Sequence, residues 1–81
     1  MNGDKDFFRV GQTIYFVNTT ELEQGGYADI EEGKVQVVDR NWCRLFFASI
    51  GEEWFSTIEI GDCIFLHREE AEKRLKELQN G

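Results

Sequence analysis

The sequence predicts a mainly β fold, a small five-stranded barrel with one C-terminal α-helix. Over the first 66 residues, short segments rich in aromatic and β-branched residues alternate with turn signals. Several of these segments carry apolar residues on both faces, which a flat sheet with one wet face would not need. The last fifteen residues show helical periodicity instead. A chain of 81 residues has room for one domain, with the barrel at about 7–66 and the helix at about 68–79.

The strand predictions rest on local composition. Glycine and polar clusters separate the segments, and we assign residues 18–32 to one long polar connection. Gly51-Glu52-Glu53 is interpreted as a turn, and Glu59-Ile60-Gly61 as a single tight helical turn. The predicted strands are Thr13–Val17, Lys34–Val38, Trp42–Ser49, Trp54–Ile58 and Asp62–Leu66.

The C-terminal helix is indicated by its spacing and its start signals. Ala71, Leu75 and Leu78 lie at i, i+4 and i+7, which gives one narrow apolar stripe. His67 occupies the N-cap position, and Glu70 lies three residues later, as in a capping box. We expect the stripe to pack against the outside of the barrel or across one open end.

Composition and charge exclude several functions. Sixteen acids against nine bases give a net charge of −7, which disfavours a generic nucleic-acid binder or an anionic lipid surface. The imbalance lies entirely in residues 1–66, which hold twelve acids and five bases. The longest apolar runs are four residues, far below the roughly 20 that a spanning helix needs. With a polar, mixed-charge start at Met1–Asp6, the sequence predicts a cytoplasmic protein without membrane contact.

The residue pattern does not favour catalysis, a metal or a cofactor. Cys43 and Cys63 belong to no CxxC motif, and His67 is the only histidine, so a zinc site cannot be built from soft ligands. We expect two reduced thiols. His67 at a helix start is interpreted as a partial cap, and the adjacent carboxylate pairs as solvated acids. The sequence therefore predicts a protein that is not an enzyme.

Three segments resemble a known group of proteins. Val10–Val17 resembles a "VGDxVYxV" first strand, Ile30–Val35 is similar to "I-x-E-G-K-V", and Ile64–Lys73 resembles "VFLTREEAEK". In this order they resemble small Src-homology-3-type barrels of phage and Gram-positive mobile-element proteins, although His67 stands where that group has threonine. The resemblance implies a five-stranded Src-homology-3-like barrel with a C-terminal helix. Because some small phage proteins block host defence nucleases, it also implies an anti-CRISPR-like inhibitor as a function class.

Aromatic residues near turns suggest a partner-binding surface. Tryptophan and tyrosine concentrate binding energy at interfaces, although the two tryptophans would equally suit caps at the ends of a barrel. Acids flank these aromatic residues, which suits docking onto a basic partner surface. The predicted partner-binding residues are Tyr27, Asp29, Glu31, Glu32, Trp42, Glu52, Glu53 and Trp54.

Two alternative functions remain open from the sequence. Lys34, Arg40 and Arg44 lie on two neighbouring predicted strands and would form a small basic patch for nucleic acid. Alternatively, the protein would be a structural piece that assembles with itself through an uncovered strand edge.

Overall fold

The computed structural model of the chain describes residues 8–19 and 28–80, and it confirms a mainly β fold followed by one helix. Within these ranges, five strands precede a single α-helix, with a 3-10 turn before the last strand. The strands are β1 (Thr13–Asn18), β2 (Asp29–Asp39), β3 (Trp42–Phe47), β4 (Gly51–Ser56) and β5 (Ile64–Phe65). The 3-10 turn is Thr57–Glu59, and the helix α1 is Arg68–Asn80.

The strands form one antiparallel sheet in the order β4-β3-β2-β1-β5. The predicted barrel is not confirmed, because the sheet does not close: within the described ranges β4 pairs only with β3, and β5 only with β1. Closure would require hydrogen bonds between the two ends of this order. Since β5 is two residues long, it offers little backbone for such pairing. The sheet therefore has edges, and β4 forms one of them.

The sheet is strongly curled even though it stays open. Phe16 on β1 and Phe55 on β4 are separated by three strand spacings, which in a flat sheet would be roughly 14 Å. Their ring centroids are only 5.3 Å apart. The Phe47 ring completes the cluster at 5.6 Å from Phe16 and 6.1 Å from Phe55. The concave face of the sheet thus wraps around one aromatic cluster.

The concave face holds the main hydrophobic core. Gly33 belongs to this face because the Phe47 ring occupies the space that a side chain would need. A Cβ at position 33 would lie 2.5 Å from the ring, which is closer than real contacts allow. The buried residues of this core are Phe8, Ile14, Val35, Cys43, Leu45, Phe47, Phe55 and Ile64.

The convex face of the sheet has a covered half and a bare half. Helix α1 packs on β1, β2 and β5. Its fully buried Ala71 forms a second core with Val17 and Phe65, and Leu75 and Leu78 pack against that core. The predicted apolar stripe of the helix is therefore confirmed. The other half of the convex face is formed by β3 and β4. It lies to the side of the second core and not under α1.

Two strands begin earlier than the sequence predicts. β2 begins at Asp29 rather than Lys34, because its first six residues pair with β1. β4 begins at Gly51 rather than Trp54, because its first three residues pair with β3. β3 ends two residues early, and β5 keeps two of its five predicted residues. Acids assigned to connections thus lie on strands, where neighbouring side chains point to opposite faces.

Candidate binding surface

The bare half of the convex face carries a cluster of aromatic side chains. β3 places Trp42, Arg44 and Phe46 on this face, because the residues alternating with them fill the concave core. β4 adds Trp54, which lies directly opposite Arg44 in the register. These four residues form what we call the aromatic face.

The rings of the aromatic face are about half exposed. Trp42 is 49% exposed, Phe46 43% and Trp54 48%. With typical areas for aromatic side chains, the three rings together leave on the order of 300 Å² in contact with water. This area is comparable to the largest apolar patch of an ordinary monomer, roughly 300–600 Å², and such patches are often functional.

Arg44 lies in the middle of the aromatic face. In the register it stands between Val37 of β2 and Trp54 of β4. Its Nη2 lies 4.0 Å from the Glu52 carboxylate, and 35% of its side chain is exposed. Its Nε is buried and has no hydrogen-bond acceptor among the described residues. The guanidinium is thus only loosely paired within the chain and has donors to offer a partner.

Charged residues of both signs surround the rings. Lys34 and Glu52 lie on either side of Phe46 in the register, and Asp39 lies opposite Trp42. An apolar centre with a charged, solvated rim is the usual arrangement of protein–protein interfaces. The aromatic face therefore has the composition of an interface, with nearly balanced charge at its border.

A cleft of about 500 Å³ runs along the free edge of β4, where a closed barrel would have its seam. Glu53 points to this side because its register partner, Leu45, fills the concave core. Its neighbours Glu52 and Trp54 project toward the convex side. We call this space the edge cleft. Its lining residues are Phe16, Asn18, Ile50, Glu53, Trp54, Phe55, Glu59 and Cys63, so Trp54 borders both the cleft and the aromatic face.

Glu59 organises one wall of the edge cleft. One of its carboxylate oxygens accepts the Ser56 backbone N–H at 2.8 Å, and the other lies 3.6 Å from the Cys63 Sγ donor. The Ser56 hydroxyl caps the turn in return, which completes a capping box for Thr57–Glu59. The helical turn predicted at Glu59–Gly61 therefore lies two residues earlier. Ser56 followed by Glu59 is the sequence signal that would have placed it correctly.

Both cysteines are free thiols. Burial, followed by the negative charge of Glu59, raises the pKa of Cys43 and of Cys63 to about 12 each. Near neutral pH each side chain is therefore a thiol rather than the nucleophilic, metal-binding thiolate. Cys63 contributes soft apolar surface to the edge cleft.

Three of the predicted acidic residues lie outside the aromatic face. Glu32 faces the covered half, where its carboxylate pairs with the Arg68 guanidinium of α1 at 2.6 Å. Glu31 accepts a hydrogen bond from the Ser49 hydroxyl at 2.7 Å. Asp29 is exposed at the start of β2. Two of these three carboxylates are thus already engaged within the chain.

The remaining predicted residues are divided between two surfaces. Trp42, Glu52 and Trp54 come together at the aromatic face, whereas Glu53 lines the edge cleft. Neither tryptophan lies over the end of a barrel, since both lie on the convex face of an open sheet. Tyr27 lies outside the described residues.

Sequence reasoning missed Phe46 as a surface residue. It interpreted the run around Phe46 as apolar on both faces because a helix would cover it, but α1 packs on other strands. The signal was present in the alternation of Trp42, Arg44 and Phe46, which places all three on one side of a strand.

Two of the three basic residues considered for nucleic acid lie on the convex face with the exposed rings. Arg44 is at its centre and Lys34 at its border. Arg40 lies in the β2–β3 turn with a positive φ of 59°. The register therefore intersperses Arg44 and Lys34 with the exposed rings.

Within residues 8–19 and 28–80, no three metal-ligating side chains of the His, Cys, Asp or Glu type come together. No helix in that part of the chain has the length and apolar character needed to span a bilayer.

The comparisons with known proteins leave the function to be argued from this geometry. No protein-family model matches the chain, and neither the curated proteins nor the solved structures give a significant match.

Proposed function

We propose that this chain is a small non-catalytic module that binds another protein through the aromatic face. The observation that carries the proposal is the exposure of Trp42, Phe46 and Trp54, at 43–49%, on a sheet half beside the one that α1 covers. Tryptophan and arginine are the residues on which interface energy concentrates, and this face places Arg44 between two tryptophans. A partner seated here would remove the rings from water and supply acceptors to the guanidinium.

The proposed partner presents a basic surface. Residues 67–81 carry four acids and four bases, so the net charge of −7 belongs to residues 1–66. A field of this sign accelerates the encounter with a basic partner and repels an acidic one. We assign the faster association to this long-range field. Because the charges that border the aromatic face nearly cancel, we assign slow dissociation of the complex to the rings and Arg44.

A sharper form of the proposal is that the protein inhibits a host defence nuclease in the cytoplasm of a phage-infected cell. Enzymes that act on nucleic acid carry basic grooves for phosphates. An acidic module with an aromatic contact would occupy such a groove and exclude the substrate. The acidic charge of the sheet region and the resemblance to phage barrels support this form.

Affinity capture with matched variants tests the proposal. The immobilised protein, a Trp54→Ala variant and a Val10→Ala variant are each exposed to lysate of the source cells. Val10 is 70% exposed and precedes β1, so its variant removes exposed apolar surface away from the aromatic face. A specific partner should be retained by the native chain and by the Val10 variant, and lost by the Trp54 variant.

Kinetics with the purified partner then separate the effect of charge on the association rate from the effect of the aromatic face on the dissociation rate. Its association rate should fall between 0.05 and 1 M salt, since screening shortens the Debye length from roughly 14 Å to about 3 Å. Trp54→Ala should instead raise the dissociation rate by roughly 30-fold or more, as for an interface hot spot of about 2 kcal/mol. A partner that dissociates equally fast from the Trp54 and Val10 variants would overturn the proposal.

Single-stranded nucleic acid is a second candidate ligand for the same face. The register that places Lys34 beside Phe46 and Arg44 beside Trp54 favours it, because bases stack on exposed rings while cations track the backbone. Fluorescence anisotropy with labelled oligouridylate and oligodeoxythymidylate at 50 mM salt tests it. Binding that Arg44→Gln weakens would support this candidate, and no change in anisotropy would eliminate it.

A further inference from the structure

We propose that the free edge of β4 takes up an extended segment of the partner as an added strand, and that alternate side chains of this segment enter the edge cleft. This inference rests on the proposed protein-binding function and specifies how the partner is held. It concerns the edge and concave side of β4, whereas the aromatic face lies on the convex side.

The backbone of β4 has open hydrogen-bonding groups along its edge. Just after β4, the Thr57 N–H donates to the Asn41 carbonyl on the β3 side, at 2.9 Å. Because N–H directions alternate along an antiparallel strand, the N–H groups of Glu52 and Trp54 point away from β3. The Ser56 N–H points the same way and is satisfied by the carboxylate of the following turn. Two N–H groups, together with their carbonyls, thus face the edge, where no described strand pairs with them.

The register of β4 dictates where the side chains of an added strand would go. Residues opposite Glu53 and Phe55 point into the edge cleft, and the residue between them points to the convex side beside Trp54. Glu53 favours a basic side chain in the cleft. Phe55, whose ring packs 5.3 Å from Phe16, favours an apolar one. The segment that fits therefore carries a lysine or arginine and an apolar residue two positions apart.

Charge distinguishes this segment from a second copy of the chain. β4 carries Glu52 and Glu53 and no basic residue, so pairing two β4 edges would bring like charges together. The net charge of −7 adds a repulsion between whole molecules. The same charges attract a basic segment, so the occupant is a stretch of a different, basic protein.

The test uses the full chain labelled with ¹⁵N and a short synthetic peptide, the paired peptide, in which each lysine lies two positions from an isoleucine with threonine between them. A peptide of the same composition in which lysine and isoleucine are direct neighbours in strict alternation, so that no lysine lies two positions from an isoleucine, is the sequence control. The paired peptide with glutamate in place of lysine is the charge control. Backbone amide exchange is followed by NMR, because strand addition must protect specific N–H groups.

The paired peptide should slow amide exchange at Glu52 and Trp54 by roughly tenfold or more, as newly hydrogen-bonded amides do. Neither control peptide should protect these amides. Glu53→Gln should weaken binding of the paired peptide by roughly two- to fivefold, the range for an exposed ion pair. Glu69→Gln on α1, which removes the same charge far from the edge, should leave the peptide affinity unchanged.

Two results would overturn strand addition. One is peptide binding that leaves the Glu52 and Trp54 amides unprotected. The other is protection that appears without peptide as protein concentration rises, with light scattering showing a dimer, since a second copy would then occupy the edge. Either result leaves the proposed function standing if Trp42→Ala, which alters the aromatic face and not the cleft lining, still releases the partner. Conversely, protected amides with a partner indifferent to Trp42→Ala would refute the aromatic face and retain the edge.

Discussion

Side chains at equivalent positions have opposite environments in the two halves of the convex face. Phe65 and Val17 lie beneath α1 and are 5% and 2% exposed. Phe46 and Trp54 point from the same side of the same sheet and are 43% and 48% exposed. All four side chains lie on strands of the same sheet. The helix covers Phe65 and Val17 and leaves Phe46 and Trp54 in contact with water.

This difference separates the residues that stabilise the fold from those available for binding. Removing apolar area from water contributes about 25 cal/mol per Å². The covered half gains this free energy when the chain folds. In the proposed complex, the bare half gains much of it when the partner binds. Mutations in the two halves should therefore differ first in stability and then in binding.

The largest expected effect is in the covered half. Phe65→Ala should lower the free energy of unfolding by about 3–5 kcal/mol, because it removes a buried ring from beneath α1. Urea denaturation followed by circular dichroism measures the change. For a domain with a total stability of roughly 4–12 kcal/mol, this loss approaches complete unfolding.

The milder Phe65→Leu keeps this prediction measurable. It preserves an apolar side chain and should lower the free energy of unfolding by about 1.5 kcal/mol or less. If neither variant changes the denaturation midpoint, the contact between α1 and β5 does not stabilise the fold, and the contrast between the two halves fails.

Gly33→Ala should have the next largest effect, about 1–3 kcal/mol, because its methyl group would overlap the Phe47 ring. The concave core supports both halves, so this variant should weaken the whole fold without selecting either one. A double-mutant cycle with Phe47→Leu provides the control. Once the ring is gone, the additional loss from Gly33→Ala should shrink, whereas an unchanged loss would place the strain elsewhere.

Features of the fold that depend on residues close in sequence could be predicted, and features that depend on residues distant in sequence could not. The stripe of Ala71, Leu75 and Leu78 is local, and the structure places it as expected. The first part of β2 was missed because Asp29–Glu32 is polar, and only its pairing with β1 makes it a strand. Closure of the sheet could not be predicted either, because it depends on whether β4 hydrogen-bonds to β5 at the other end of the strand order. Local sequence patterns carry no information about such a long-range contact.

The candidate surface was predictable in part for the same reason. Trp42, Trp54 and Glu52 were selected from their composition and position near turns, and the register places them on one face. The pairing of Glu32 with Arg68 joins residues 36 positions apart, so no local pattern indicates that this acid is engaged within the chain. Which half of the sheet the helix covers is likewise a tertiary outcome, and it decided which rings of the convex face are exposed.

A smaller effect is expected from the bare half. Phe46→Thr should lower the free energy of unfolding by only about 0.5–1 kcal/mol, since threonine also favours strands and only cross-strand contacts are lost. Thermal denaturation in parallel with Tyr15→Thr on the covered half measures the contrast. Tyr15 packs against the second core, so its variant should be the less stable of the two. The reverse order would mean that the aromatic face is itself structural.

The smallest effect concerns the charges that fasten the helix. The Arg68 guanidinium bridges Glu32 on β2 at 2.6 Å and Glu72 on α1 at 3.2 Å, yet the Arg68 side chain is 50% exposed. Exposed ion pairs are largely screened, so Arg68→Gln should lower the free energy of unfolding by only about 0.5 kcal/mol.

The dependence of this stability loss on salt concentration shows whether the loss is electrostatic. At 1 M salt, where the Debye length is about 3 Å, the difference between Arg68→Gln and the native chain should nearly vanish. Lys73→Gln makes the same change of charge on the same helix and serves as the control. If Arg68→Gln lowers the free energy of unfolding by more than about 2 kcal/mol at any salt concentration, the ion pairs of Arg68 hold α1 in place. Electrostatic attraction, and no longer burial of apolar surface, would then explain why α1 covers one half of the convex face and leaves the other bare.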